Sequence, residues 1–414
     1  YKLYEQALEK FEKVYAYGML TYHLDMSNQD GIKIFKEVEN LGTEFNVATS
    51  FIIPEITYAN EDRIKEYNSN YFINELFIAS KSLGILEEKI KSYKFDNILM
   101  PLLNTKEAIS SMYLEGTQTT MSAVLEDVIN EDKEKKNEKI YKEATNHTKA
   151  LHYGATYLSQ NNFNHTFIKE LHRMMLNGII AENKEHTLGK YKEVDNFIVN
   201  SVGTVVFNPP HYTETKKYMD ELIDFMNDTK IDINPLIKTA IIHSQFESIH
   251  PFDDGNGRVG RLLISLCLYK FNVIKVPFFY VSEAISQNKI IYYNKLTDSR
   301  KNDYTEWIKF FLKMCTVQAE KHIKYIDSLD SIYDKTSEKI RKIINSQKYE
   351  NIIECIFSQP IISSSYLEKT INISPSQARK YISTLEEAGV LSGDDRIRNR
   401  KYYFLELLTL LENT

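Results

Sequence analysis

The chain has 414 residues, 43% hydrophobic and 26% charged, a globular composition with room for two or three domains and a substantial core. Glycine and proline total 14 + 9 = 23 residues, which leaves little turn material for an all-β fold and predicts a mostly α protein. Lys+Arg minus Asp+Glu is 51 − 57 = −6, a balance that argues against nonspecific coating of nucleic acid or an anionic membrane.

Three cysteines, Cys267, Cys315 and Cys355, stand far apart with no CxxC, which excludes a disulfide scaffold and a thiolate zinc site and predicts a reducing, cytoplasmic setting. No stretch of about 18 mainly apolar residues is present, so no membrane span is expected. The first residue is Tyr1, not Met, and some preceding sequence is expected.

In chain order, residues 1–23 are charged and helically periodic. Residues 71–93 carry Leu76, Ala79, Leu83, Leu86 and Ile90 at helical spacing. A helix over 105–115 is expected to end at Gly116, and the charge-dense stretch 126–143 reads as a solvated face or connection. Helical periodicity returns over 144–176. Residues 196–212 then lack charge, and two β-rich runs, 197–199 and 205–207, flank a turn-rich tetrapeptide, which predicts a hairpin ended by Pro209 and Pro210. Helices follow over 213–226, 235–246, 257–271 and 304–323, the third apolar nearly all round and therefore central. Residues 335–350 read as a charged linking helix. Beyond Asn351, three short helices and a strand-like tail outline a winged helix-turn-helix.

One segment carries chemistry that a core does not need: His250-Pro251-Phe252-Asp253-Asp254-Gly255-Asn256-Gly257-Arg258-Val259-Gly260-Arg261. Gly255, Asn256 and Gly257 stand at the entry of an apolar helix, where unpaired N–H groups and the helix dipole favour an anion such as phosphate. Arg258 and Arg261, three apart, share a face and add forked donors for further phosphate oxygens. Asp254 is a lone hard carboxylate of the kind that holds Mg²⁺ together with substrate phosphates. His250 is the side chain with a near-neutral pKa, a natural general base for an attacking hydroxyl, and Phe252 is expected to point inward and pin the loop. The combined reading is transfer of a phosphate-containing group from a nucleotide–Mg²⁺ complex to a hydroxyl.

The segment resembles the signature of the Fic family, HPFx[DE]GNGRxxR, with every fixed position filled. The resemblance covers roughly residues 74–323. It implies a Fic-type helical core with a β-hairpin flap, an N-terminal helical region and a C-terminal winged helix-turn-helix. The implied domains are 1–104, a catalytic core over 105–330 and a winged-helix-like unit over 335–414. The implied activity is AMP transfer from ATP to Ser, Thr or Tyr hydroxyls of a protein target, with His250 as base and Asp254 on Mg²⁺. Gly255, Asn256 and Gly257 would line the anion hole, and Arg258 and Arg261 would contact the β- and γ-phosphates. The flap, about 196–208, would hold a target segment in extended form. Val199 and Asn200 would lie at its nucleotide side, Val199 standing where many relatives carry glycine. Tyr292 and Tyr293 match a pair often found beside the adenine.

A second family pattern, [ST]xxxE[GN], is matched by Ser111, Glu115 and Gly116. In relatives it ends an inhibitory helix, here about 105–116, whose glutamate pairs with the second signature arginine, here Arg261. A carboxylate on that guanidinium competes directly with phosphate. Some relatives use the same glutamate to remove AMP. Competing readings are a nucleotide-sensing DNA-binding regulator and a Fic transferase with another donor. Residues 351–414 carry seven Lys/Arg against eight Asp/Glu, a poor balance for DNA, so a protein-contacting role is at least as well supported. DNA and a homodimer stay open as partners.

Overall fold

The computed structural model describes residues 72–92, 96–117, 119–129, 138–199, 205–300 and 304–413. The expected N-terminal helix over 1–23, the tetrapeptide 200–203 of the flap and the candidate contact Asn200 lie outside the described residues.

Helices dominate. They are α1 (Ile73–Ser92), α2 (Asp96–Leu114), α3 (Met121–Ile129), α4 (Glu138–Leu158), α5 (His165–Leu176), α6 (Thr215–Asn227), α7 (Pro235–Ile249), α8 (Asn256–Lys270), α9 (Ser282–Ser286), α10 (Lys289–Ser299) and the long α11 (Thr305–Ile343). A C-terminal unit follows: α12 (Tyr349–Ser358), β3 (Ile361–Ser363), α13 (Ser364–Ile371), α14 (Pro375–Glu387), β4 (Ser392–Gly393), β5 (Lys401–Tyr403) and α15 (Leu405–Asn413).

The centre is the pair α7 and α8. Every residue of α7 from Leu236 to Ile249 is buried, and α8 is buried from Val259 to Leu268. Asn234 starts α7 by accepting from the Leu236 N–H, with Pro235 at the first helical position, where its missing N–H costs nothing. Helices α4, α5, α6 and α11 pack around this pair. Helix α1 lies along α11, and α2 lies against α4 and α9.

Two expected boundaries move. Helix α2 begins at Asp96, so residue 104 is inside it and Pro101 is within the helix. Loss of the bond a proline cannot donate costs about 3 kcal/mol. Burial of Ile98, Leu99, Leu102 and Leu103, at about 1.5–3 kcal/mol each, outweighs it. The helix expected to stop at Ile323 and the linking helix expected from Lys335 are one element, α11, of 39 residues. The intervening stretch contains no Gly or Pro and keeps a buried stripe of Tyr325, Ile326, Leu329 and Ile332.

The hairpin forms as β1 (Ile198–Val199) and β2 (Val205–Phe207), antiparallel with Ile198 opposite Phe207 and Val199 opposite Val205. In the C-terminal unit, β3, β5 and β4 form an antiparallel sheet in that order. Helices α12, α13 and α14 and the β4–β5 hairpin fall where the sequence outlines three helices and a tail, and β3 and α15 are additions to that outline. Ser374 and Gln377 close a capping box at the start of α14. This unit packs on α2, α3 and α11, and Lys401 and Tyr403 of β5 both bond Glu126 of α3.

Among the described residues no helix is long and apolar enough to cross a membrane. Cys267, Cys315 and Cys355 are free and buried.

Candidate active site

The six residues 250–255 join α7 to α8, so the candidate loop hangs between the two most buried helices of the molecule. His250 ends α7 in the left-handed region, at φ 50. Its Nδ1–H points at the Glu247 carbonyl, 3.4 Å away, which leaves Nε2 as the ring nitrogen able to take a proton. Burial lowers its pKa to about 4, helped by Lys192 and Arg300 and opposed by the Glu247 carbonyl and Glu115. The imidazole is therefore neutral at physiological pH, the state a base needs.

Phe252 is fully buried and stacks on His172, with ring centres 3.9 Å apart and 11° between planes. His172 is a second brace. Its Nδ1 accepts the Gly189 N–H at 3.0 Å and its Nε2–H donates to the Asp254 carbonyl at 3.0 Å. Burial holds it neutral, with a pKa of about 4.

Gly255 caps α8 with φ 79, a conformation glycine adopts without strain. The first turn of α8 follows, with its unpaired N–H groups and positive dipole end. Asn256 does not turn its side chain to that turn. It is 1% exposed, accepts from the Phe252 N–H at 2.8 Å and donates to the Phe252 carbonyl at 2.7 Å. Its side chain braces the loop, and only its backbone is placed to meet a ligand.

Asp254 accepts from the Gly255 N–H at 2.6 Å and from Arg258 Nη2 at 3.0 Å, and its side chain is 45% exposed. Arg258 is also tied to Glu143 on α4, at 3.0 Å. Arg261, at 3% exposure, is gripped by the end of α2. Its Nη2 donates to Glu115 Oε1 at 2.7 Å, to Ser111 Oγ at 2.8 Å and to the Ser111 carbonyl at 3.1 Å, while Nε donates to Ser111 Oγ at 3.1 Å. Burial pushes the Glu115 carboxyl up, but Arg261 and Arg258 together outweigh it and hold the carboxyl below its usual value. Gly257 makes the contact possible: a Cβ there would lie 2.6 Å from Glu115 Oε1. Gly116, at φ 94, ends the motif.

Helix α2 is anchored well behind this contact. Glu107 accepts from the Ser282 N–H at 3.2 Å and from its hydroxyl, and the Tyr280 hydroxyl bonds Asn104. Tyr293 donates to the Leu114 carbonyl at 3.1 Å, so it holds the end of α2. Tyr292 is 1% exposed; its hydroxyl donates to His243 and its ring packs beside Trp307. In this structure the Tyr292 side chain is thus committed to the helical core. Val199 lies on β1, 54% exposed, alongside exposed Phe197, Val205 and Val206.

Sequence reasoning missed His172, Lys192, Glu247 and Arg300. Glu247 is buried beside Gly260, and burial raises its pKa to about 7. Arg300 stacks over Phe207 of the flap at 3.9 Å and donates to Ser248 at 3.3 Å. No motif marks these residues as part of the site.

A helical core thus gathers a histidine, a glycine-capped helix start and two arginines around one loop. Models of two parts of one family match it: Fic/DOC family over residues 162–268, and Fic/DOC family N-terminal over residues 73–156. These two matched stretches, with the relatives and the solved structure described next, support a Fic family protein. It is similar to a probable protein adenylyltransferase of Aquifex aeolicus, 32% identical over 114 residues, covering 25% of this chain and 35% of the relative. It is also similar to the protein adenylyltransferase Fic of Nematostella vectensis, 28% identical over 185 residues, covering 43% and 38%. The chain thus spans little more than a third of the length of these curated relatives. A solved Fic family protein from Desulfovibrio desulfuricans shares the fold, with TM-score 0.52, 18% identity, and coverage of 81% of this chain and 96% of that one.

Proposed function

We propose that this protein is a protein adenylyltransferase that moves AMP from ATP to a Ser, Thr or Tyr hydroxyl of a protein target, held in check by Glu115. The observation that carries the reading is the placement of a neutral His250 at the mouth of the glycine-capped start of α8. Relatives named as adenylyltransferases support it.

The target oxygen attacks the α-phosphorus, the bond to the β-phosphate oxygen breaks, and pyrophosphate leaves. His250 Nε2 takes the hydroxyl proton as the new bond forms. The N–H groups of the first turn of α8 stabilise charge on the transferring group. Arg258 and Arg261 grip the remaining phosphates.

The nucleotide would arrive as its Mg²⁺ complex. The site offers such an ion one half-exposed carboxylate, Asp254, beside the cradle, consistent with a metal held mainly by substrate phosphates and water. Asp254 would hold the ion, whose charge offsets that of the phosphates.

Glu115 supplies regulation. In this arrangement the Arg261 guanidinium is taken by Glu115 and Ser111, so the γ-phosphate meets a carboxylate where it needs a donor. The flap, with exposed Phe197, Val199 and Val205, would dock an extended target segment. The C-terminal unit is read as winged-helix-like.

Incorporation of label from α-labelled ATP with Mg²⁺ tests the reading. The Glu115→Gly protein is expected to label itself or a target, and the Glu115→Gly, His250→Ala protein is expected not to. Equal labelling by UTP, GTP or CDP-choline would replace the donor while keeping the transferase.

A further inference from the structure

His250 sits in the left-handed region, which strains a non-glycine residue. A base must also be held to well under an ångström to be effective. Something outside α7 has to hold the turn, and two side chains at the root of the hairpin do so.

Asn196 precedes β1. Its Nδ2 donates to the His250 carbonyl at 3.1 Å and to the Phe252 carbonyl at 2.9 Å, so one amide bridges both sides of Pro251. Its Oδ1 accepts from Lys192 Nζ at 2.8 Å. Lys192 Nζ also reaches the Ile249 carbonyl at 3.4 Å, and the Lys192 N–H donates to the Pro251 carbonyl at 2.8 Å. Four successive carbonyls, 249 to 252, are therefore held by donors from residues 192 and 196.

We propose that Lys192 and Asn196 are positioning residues: a clamp that fixes the backbone turn at His250 and ties the orientation of the base to the root of the flap. Neither is placed to touch the reacting atoms; both act through His250. Lys192 is 3% exposed, and an ammonium so buried is retained only with partners. Burial draws its pKa down to about 8, partly offset by Asp195 and Asp253, so it is mostly charged near neutrality.

That charge makes the clamp detectable. The charged groups that face His250 are Lys192 from the flap root, Arg300 at the end of α10 and Glu115 at the end of α2. Lys192 and Arg300 disfavour the imidazolium, Lys192 the more, and Glu115 favours it.

The inference rests on the transferase reading only for its kinetic part. The test uses the full chain carrying Glu115→Gly, with Lys192→Met, Lys192→Arg or Asn196→Ala added. The His250 titration is followed by NMR on isotope-labelled histidine, and kcat and the KM for ATP are measured across pH. In Lys192→Met, His250 is expected to titrate at higher pH, with the acid limb of kcat moving in the same direction. In the same variant kcat is expected to fall roughly tenfold or more, and the KM for ATP to stay within about twofold. Lys192→Arg, which keeps charge and donors, is expected to restore both. Asn196→Ala is expected to lower kcat with the KM for ATP kept. A general loss of packing would also expose His250 and raise its titration, and is told apart by a rise in the KM for ATP. An unchanged His250 titration in Lys192→Met overturns the clamp. If the Glu115→Gly parent transfers nothing, the transferase reading fails, and the NMR titration still decides on the clamp.

Discussion

The candidate loop and the C-terminal unit both carry arginines, and they neutralise them differently. In the C-terminal unit the partners are local: Arg396 pairs with Asp394 two residues away, and Arg400 with Glu386 across the same small fold. In the loop, beside the local Arg258–Asp254 pair, partners come from separate helices: Arg258 also reaches Glu143 on α4, and Arg261 reaches Glu115 on α2. A locally satisfied charge is part of a fold. A charge satisfied by a distant, separately anchored helix can be released by moving that helix. Under the proposed function the loop is where ligand and regulation would compete, while the tail is docked on α3 through Lys401 and Glu126.

The contrast can be broken most directly at the base. In a Glu115→Gly background, His250→Ala is expected to lower AMP incorporation by about 10²–10⁴-fold, the contribution typical of a general base. Next comes the brake. Glu115→Gly alone is expected to raise incorporation on the order of 5- to 150-fold over the parent, the range of a 1–3 kcal/mol coupling.

A smaller effect is expected on stability against pH. His147, His172, His243, His250 and His322 are all buried with folded pKa values of about 3 to 4, against 6.5 for the ordinary side chain. Between those limits the unfolded chain binds protons that the folded chain does not, so these groups lose stability as pH falls from 6.5 toward 4. Burial raises Glu107 and Glu247 to about 7 from 4.5, which acts in the opposite sense between pH 4.5 and 7. Five against two leaves the histidines in control. The denaturant midpoint is expected to drop as pH goes from 6.5 to 4.5, and a flat or rising midpoint would show that these imidazoles are charged in the fold.

The smallest effect is expected in the tail. Arg379 and Lys380 are exposed on α14, but the neighbouring basic groups are already paired. The full chain should bind duplex DNA no better than nonspecifically, with Kd of about 10⁻⁴–10⁻⁶ M at physiological salt. A tight, sequence-selective gel shift lost in Arg379→Ala would erase the contrast between the two regions.

Much of this was legible in the sequence because the chemistry is compressed into contiguous residues. His250 through Arg261 stands out by composition, and Ser111 through Gly116 by its resemblance to a family pattern. Most helices follow from periodicity and from stops such as Gly116. The features not legible there share a cause: they depend on contacts between segments distant in the chain. Asn256 reads as cradle lining, and its side chain also bonds the backbone four residues back, a brace that the sequence did not announce. Tyr292 reads as half of an aromatic pair beside a ligand and lies in the core, bonded to His243, a residue 49 positions away. Lys192 and Asn196 stand in coil with no pattern, and only the folded turn shows what they hold. Helix α11 runs through its expected boundary because a buried stripe on one face continues beneath charged residues on the other.

The most direct measurement is the intact mass of the Glu115→Gly protein after incubation with ATP and Mg²⁺, beside the same protein carrying His250→Ala. The account predicts a gain of one adenylyl group, on the protein or on an added target, in the first and no gain in the second. An equal gain in both, or none in the first despite bound ATP, would contradict it.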